Sequence, residues 1–96
     1  MKKIDFKHFK IYTTVSRKAA QTVDARETFA DLIYKNVNGI KAHALALKIY
    51  GSEGTAYYTD DEVRLMREAL FAFRNKLLSA GKPTENVNEL IIKVMK

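Results

Sequence analysis

Residues 58–77 read YTDDEVRLMREALFAFRNKL, and this stretch decides the fold more than any other. Thr59 stands where a helix N-cap accepts a backbone N–H, and Glu62, three residues on, can reach back to the backbone of Thr59. Tyr58 and Val63 sit on either side of that cap as the two halves of a hydrophobic staple. Asp60 and Asp61 complement the positive end of the helix dipole. Val63, Met66, Leu70, Phe73 and Leu77 then recur at steps of three and four, which is one apolar stripe of a helix. Ser79-Ala80-Gly81 closes it, with Pro83 just beyond, so a helix of about 20 residues is predicted.

Toward the C-terminus the pattern repeats on a smaller scale. Val87, Leu90, Ile91, Val94 and Met95 mark a short amphipathic helix with Thr84 as its cap. Toward the N-terminus, Gly51-Ser52-Glu53-Gly54 is a loop by composition, and Thr55–Tyr58 is short and extended. Adjacent residues of an extended segment point opposite ways, so either Tyr57 or Tyr58 can staple the helix while the other reaches a partner. Ile40–Tyr50 is apolar nearly all round, with Lys41, His43 and Lys48 its only strongly polar residues. That composition predicts a central helix packed on most sides. Asn36-Val37-Asn38-Gly39 ends the helix before it, whose apolar stripe is Phe29, Leu32 and Ile33. Asp24 and Glu27 have capping-box spacing at that helix's start.

The first segment has the period of a strand. Phe9, Ile11, Thr13 and Val15 alternate with Lys10, Tyr12, Thr14 and Ser16. Ile4 and Phe6 fall on the opposite parity, so a bulge or break is expected near His8-Phe9. A second short strand is expected at Ala19–Val23, after a turn near Ser16-Arg17-Lys18. The fold expected is α+β: one domain over residues 1–96, with an N-terminal strand or β-hairpin packed on three to four α-helices. An all-α arrangement with residues 4–15 irregular is the alternative.

The composition is that of a globular chain: 96 residues, 47% hydrophobic and 29% charged, enough for one modest core. The absence of cysteine excludes disulfides, thiolate zinc sites, iron–sulfur clusters and cysteine nucleophiles. No signal peptide and no membrane span are legible, which leads to the expectation of a soluble cytoplasmic protein. The net charge is +6, and residues 1–18 alone contribute +5. Lysines in such a segment solubilise an exposed strand edge and deter edge-to-edge pairing. The same residues, Lys2, Lys3, Lys7, Lys10, Arg17 and Lys18, with Phe6, Phe9 and Tyr12 interleaved, are the candidate surface for nucleic acid.

Chemical motifs are few. Gly51-Ser52-Glu53-Gly54 has neither the Lys-Ser/Thr of a P-loop nor a dinucleotide-binding spacing. Ser16, Ser52 and Ser79 lie in no nucleophile elbow. Asp60, Asp61 and Glu62 cluster, but a helix start accounts for all three. His43 has no histidine or carboxylate one turn away, so it reads as a partly buried structural residue; His8, among lysines, reads as exposed. Only a polar pocket joining His43 to a carboxylate such as Asp31 or Asp61 would favour an enzyme. No catalytic residue, metal, cofactor or small-molecule substrate is expected. A helix-turn-helix reading of residues 25–50 fails because its second helix offers alanine, leucine and isoleucine where base edges need polar side chains. Phe71 and Leu78 are seven apart and off the main stripe, beside Arg67 and Arg74. With Tyr57 they are the candidate protein contacts, unless the last helix covers them.

One resemblance spans residues 23–66. Asp24-Ala25-Arg26, FADLIY at 29–34, NGIKAHALALKIY at 38–50, Ser52-Glu53-Gly54 and Asp61-Glu62-Val63 resemble a group of small proteins encoded by bacterial prophages and other mobile elements. It does not extend past about Phe71. The resemblance carries no activity and no site residues; it implies an accessory or adaptor role. The function expected is therefore a non-enzymatic domain that binds a protein partner or itself. A nucleic-acid accessory factor using the basic N-terminal segment is the alternative.

Overall fold

The computed structural model describes residues 1–12 and 20–95. The chain is α+β, in the order β1 (Lys2–Asp5), β2 (Phe9–Tyr12), β3 (Ala20–Val23), α1 (Arg26–Asn36), α2 (Ile40–Tyr50), β4 (Thr55–Tyr58), α3 (Asp60–Ser79) and α4 (Glu85–Met95). The strands form two antiparallel pairs. β1 pairs with β4, Lys2 opposite Tyr58 and Asp5 opposite Thr55. β2 pairs with β3, Phe9 opposite Val23 and Tyr12 opposite Ala20. The expected hairpin is therefore present in β2 and β3; the turn assigned to Ser16-Arg17-Lys18 lies outside the described residues.

The parity slip near His8 has a cause in Asp5. Its Oδ1 accepts the backbone N–H of Lys7 at 2.9 Å and that of His8 at 3.1 Å, while Oδ2 meets the His8 ring at 2.9 Å. These bonds divert the chain from β1 into β2, so Ile4, Phe6 and Phe9 all become core residues despite their differing parity. The Phe6 carbonyl then accepts from Ala25 N–H at 2.8 Å, tying this corner to the start of α1.

α3 follows the sequence closely. The Thr59 hydroxyl accepts from Glu62 N–H at 3.2 Å, and Glu62 accepts from Thr59 N–H at 2.8 Å, a complete capping box. Met66, Ala69 and Leu70 are buried beneath α3, and Tyr58 is buried beside its first turn. The helix ends at Ser79, where Gly81 takes φ +68° and Lys82 N–H returns to Leu77 O at 2.9 Å. α4 packs back on α3 through Val87, Leu90 and Val94, and Arg74 of α3 donates to Asn88 of α4 at 2.9 Å. The Thr84 carbonyl accepts the first α4 bond, from Asn88 N–H at 2.9 Å.

Two helix expectations need correction. The capping box at Asp24 does not form: the N-cap of α1 is Ala25, and no side chain caps it. Asp24 instead accepts from the backbone and guanidinium of Arg26, at 3.1 Å and 2.7–3.1 Å, while Arg26 Nη1 also donates to Ser52 O. A charge-assisted fork two residues away outcompetes a neutral N–H three residues away. The bonds from Arg26 outweigh the small cost of desolvation and hold the Asp24 carboxyl down to about 2.

Nor is α2 a central helix. Only Ala42, Leu45, Ala46 and Ile49 are buried, while Ile40 is 88% and Leu47 73% exposed. The molecule measures 39 × 31 × 20 Å. A helix with side chains is about 10 Å across, so the short dimension holds two layers and the outer face of α2 has nothing to cover it.

Candidate functional site

A cleft of about 670 Å³ opens on the described surface between α1 and α2. Two rows of side chains form its walls. Glu27, Asp31 and Tyr34 follow one another along α1 at steps of four and three. His43, Leu47 and Tyr50 do the same along α2. Side chains at i, i+4 and i+7 share one helix face, so each wall is roughly two turns, about 10 Å, long. Ala30 and Ala46, both nearly buried, line the space between them. Their small side chains are why the helices pack closely and yet leave a hollow above.

The walls join at one end. The rings of Tyr34 and His43 stack with centroids 4.6 Å apart and planes 26° from parallel. His43 is thus exposed and stacked, not partly buried as expected from the apolar run around it. Its position on the outer face of α2 explains the difference. Asp31 does line the same cleft as His43, as an enzyme would require. The Asp31 carboxylate, however, is engaged by Lys35 at 3.0 Å, one turn along α1. The cleft is open along its length, and no group of three or more potential metal ligands occurs among the described residues.

The three residues predicted for protein contact are all exposed but lie apart from the cleft. Tyr57 stands on β4 facing away from the core that takes Tyr58. Phe71 and Leu78 remain uncovered on α3, 44% and 52% exposed. Arg74, which was to flank them, is directed to Asn88 instead.

The basic N-terminal residues are not gathered on one described face. Lys2 and Lys3 alternate on β1 and so point to opposite sides. Lys2 lies in a shallow hollow with Asp60, Arg67 and Met95, and Lys7 approaches Glu53 at 3.9 Å. Lys10 is on β2 with its side chain outside the described set; Arg17 and Lys18 lie outside the described residues altogether.

The cleft residues Glu27, Tyr34, Leu47 and Tyr50 were not singled out by sequence reasoning. A signal was present: positions 27, 31 and 34 and positions 43, 47 and 50 carry large or charged side chains at helical spacing on faces that the buried stripes do not need. No helix among the described residues is long and apolar enough to cross a membrane. No protein-family model, curated protein or solved structure matches the chain.

Proposed function

We infer that the protein is a non-enzymatic binding domain that acts by docking another protein on its α1–α2 face. The observation that carries this reading is the pairing of the cleft with the exposed stripe of α2. Ile40, Ala44 and Leu47, at steps of four and three, extend along α2, with Tyr34 and Tyr50 exposed beside them. Leaving Ile40 and Leu47 in water forgoes on the order of 1.5–3 kcal/mol for each side chain that a partner covers. An apolar stripe of this kind beside a preformed hollow is the surface a partner helix or loop uses. Phe71 and Leu78 form a smaller exposed patch on α3, beside Arg67, that suits a secondary contact.

Photo-crosslinking from position 47 in the native host, paired with sedimentation of the purified chain over a concentration series, tests this reading. A discrete protein adduct at position 47, lost when Ile40→Ser is added, is expected. A strictly monomeric chain that yields no adduct at position 47 overturns it.

A further inference from the structure

The α1–α2 cleft carries charge opposite in sign to the rest of the molecule. In a chain of net charge +6, the described residues on its walls include the carboxylates Glu27 and Asp31, and no lysine or arginine among the described residues lines it. Glu27 forms no ion pair among the described residues. Among the described residues Asp31 is paired only with Lys35, and both side chains of that pair are largely exposed, so the pair yields readily to a competing cation. Beside the carboxylates stand the rings of Tyr34, one face of which stacks on His43, and of Tyr50, both more than half exposed. Carboxylates and tyrosine faces both attract a guanidinium or ammonium group.

The dimensions specify the rest. Walls of two helical turns, with Leu47 on the α2 wall and Ala30 and Ala46 lining the space between the helices, match the two-turn anchor spacing by which an amphipathic helix seats in a groove. Resting on the protein-docking reading above, we propose that the cleft receives an amphipathic helix of a partner protein. The partner's apolar anchors lie on Leu47, Ala30 and Ala46, and its arginine or lysine side chains meet Glu27, Asp31 and the tyrosine rings.

The molecule's overall charge makes the test sharp, because its long-range field favours an acidic ligand. The full chain, isotopically labelled for NMR, is titrated with two designed helices of about 18 residues. They share one leucine stripe; one is flanked by arginine and the other by glutamate. The expected result is that the arginine helix shifts the amides of residues 27–34 and 43–50 and binds about tenfold or more tighter than the glutamate helix, the advantage shrinking with salt. The paired substitutions Glu27→Lys and Asp31→Lys are expected to reverse the preference. The pair Glu68→Lys and Glu85→Lys, which changes net charge equally on the exposed faces of α3 and α4, is expected to leave it in place.

If the glutamate helix binds the cleft equally well or better, the basic partner is wrong while the docking reading stands. If neither helix moves these amides, the proposal is overturned, and the crosslinking experiment alone judges the docking reading. Concentration-dependent shifts of the same amides without any peptide identify a second copy as the occupant and also overturn it.

Discussion

α2 and α3 are built on opposite plans. α3 is 20 residues long, begins with a complete side-chain cap, and has one apolar stripe directed at the core. α2 is 11 residues long, begins at Gly39 with no side-chain cap, and has apolar residues on every side. By hydrophobicity alone α2 belongs at the centre, yet it leaves Ile40 88% and Leu47 73% exposed, more than the most exposed large apolar residues of α3, Phe71 at 44% and Leu78 at 52%. The difference teaches that an apolar residue count measures what a helix can bury, while the number of neighbouring layers decides how much it does bury. Two of the buried residues of α2, Ala42 and Ala46, are alanines, which satisfy close packing with little surface and leave larger side chains of the helix free for another use.

Substitutions within α2 test this contrast most directly. Ile49 is fully buried and Leu47, two residues away, is not. Ile49→Ala is expected to lower stability by about 2–5 kcal/mol in denaturant unfolding, the range for a buried aliphatic truncation. A cost like that of a surface site would mean that α2 is not seated on α1 as described.

The two helix starts come next. Gly39 adopts φ +116° and ψ +162°, a region closed to residues with a Cβ, although open space surrounds it. Gly39→Ala is therefore expected to cost about 1–3 kcal/mol through backbone strain alone. Thr59→Ala removes a side-chain cap in place of a backbone conformation, and about 1 kcal/mol is expected. Equal tolerance of both changes by thermal unfolding would erase the distinction between the helices.

Leu47→Ala should stay within about 0.5 kcal/mol of the parent in stability, as surface changes do, while weakening capture of a partner. A large loss of stability there would return Leu47 to the core and remove the docking face.

The smallest effect is one of pH. Burial opposes ionisation of Glu62, but the Thr59 N–H and the Lys48 ammonium at 3.0 Å outweigh it and hold its carboxyl below the ordinary value of 4.5. A depressed carboxyl stabilises the fold above its unfolded pKa, and that contribution disappears as pH falls through the folded one. Asp24, held at about 2 from an ordinary 3.8, acts in the same direction over a lower window. Stability should therefore fall as pH drops below about 4.5, and Glu62→Gln should flatten that fall. An unchanged pH profile in the variant would show that the α3 cap and its bridge to Lys48 contribute no pH-dependent stability.

Much of the fold was legible because much of it is local. The Thr59 cap, the Gly81 stop and the strand that starts at Phe9 each depend on residues within one or two turns of one another. The Asp24 start misled because its pattern is also local but has a rival: Arg26 offers Asp24 a stronger bond, and its anchorage at Ser52 O lies 26 residues away. The pairing of β1 with β4 had no signal of its own, since more than 50 residues separate Lys2 from Tyr58. The cleft was hidden for a related reason. Glu27, Asp31 and Tyr34 look like ordinary solvent-facing helix residues until α2 stands opposite with His43, Leu47 and Tyr50.

By itself, the sequence determined the secondary structure, the α+β class and the shortage of reactive side chains. Each follows from short-range periodicity, from caps, and from which residue types are present at all. Only the tertiary structure decided which apolar residues stay in water and which charged ones share a wall. A chain that stacks just two layers across 20 Å cannot cover every apolar face it contains, and which face is left open depends on contacts between segments far apart in the chain.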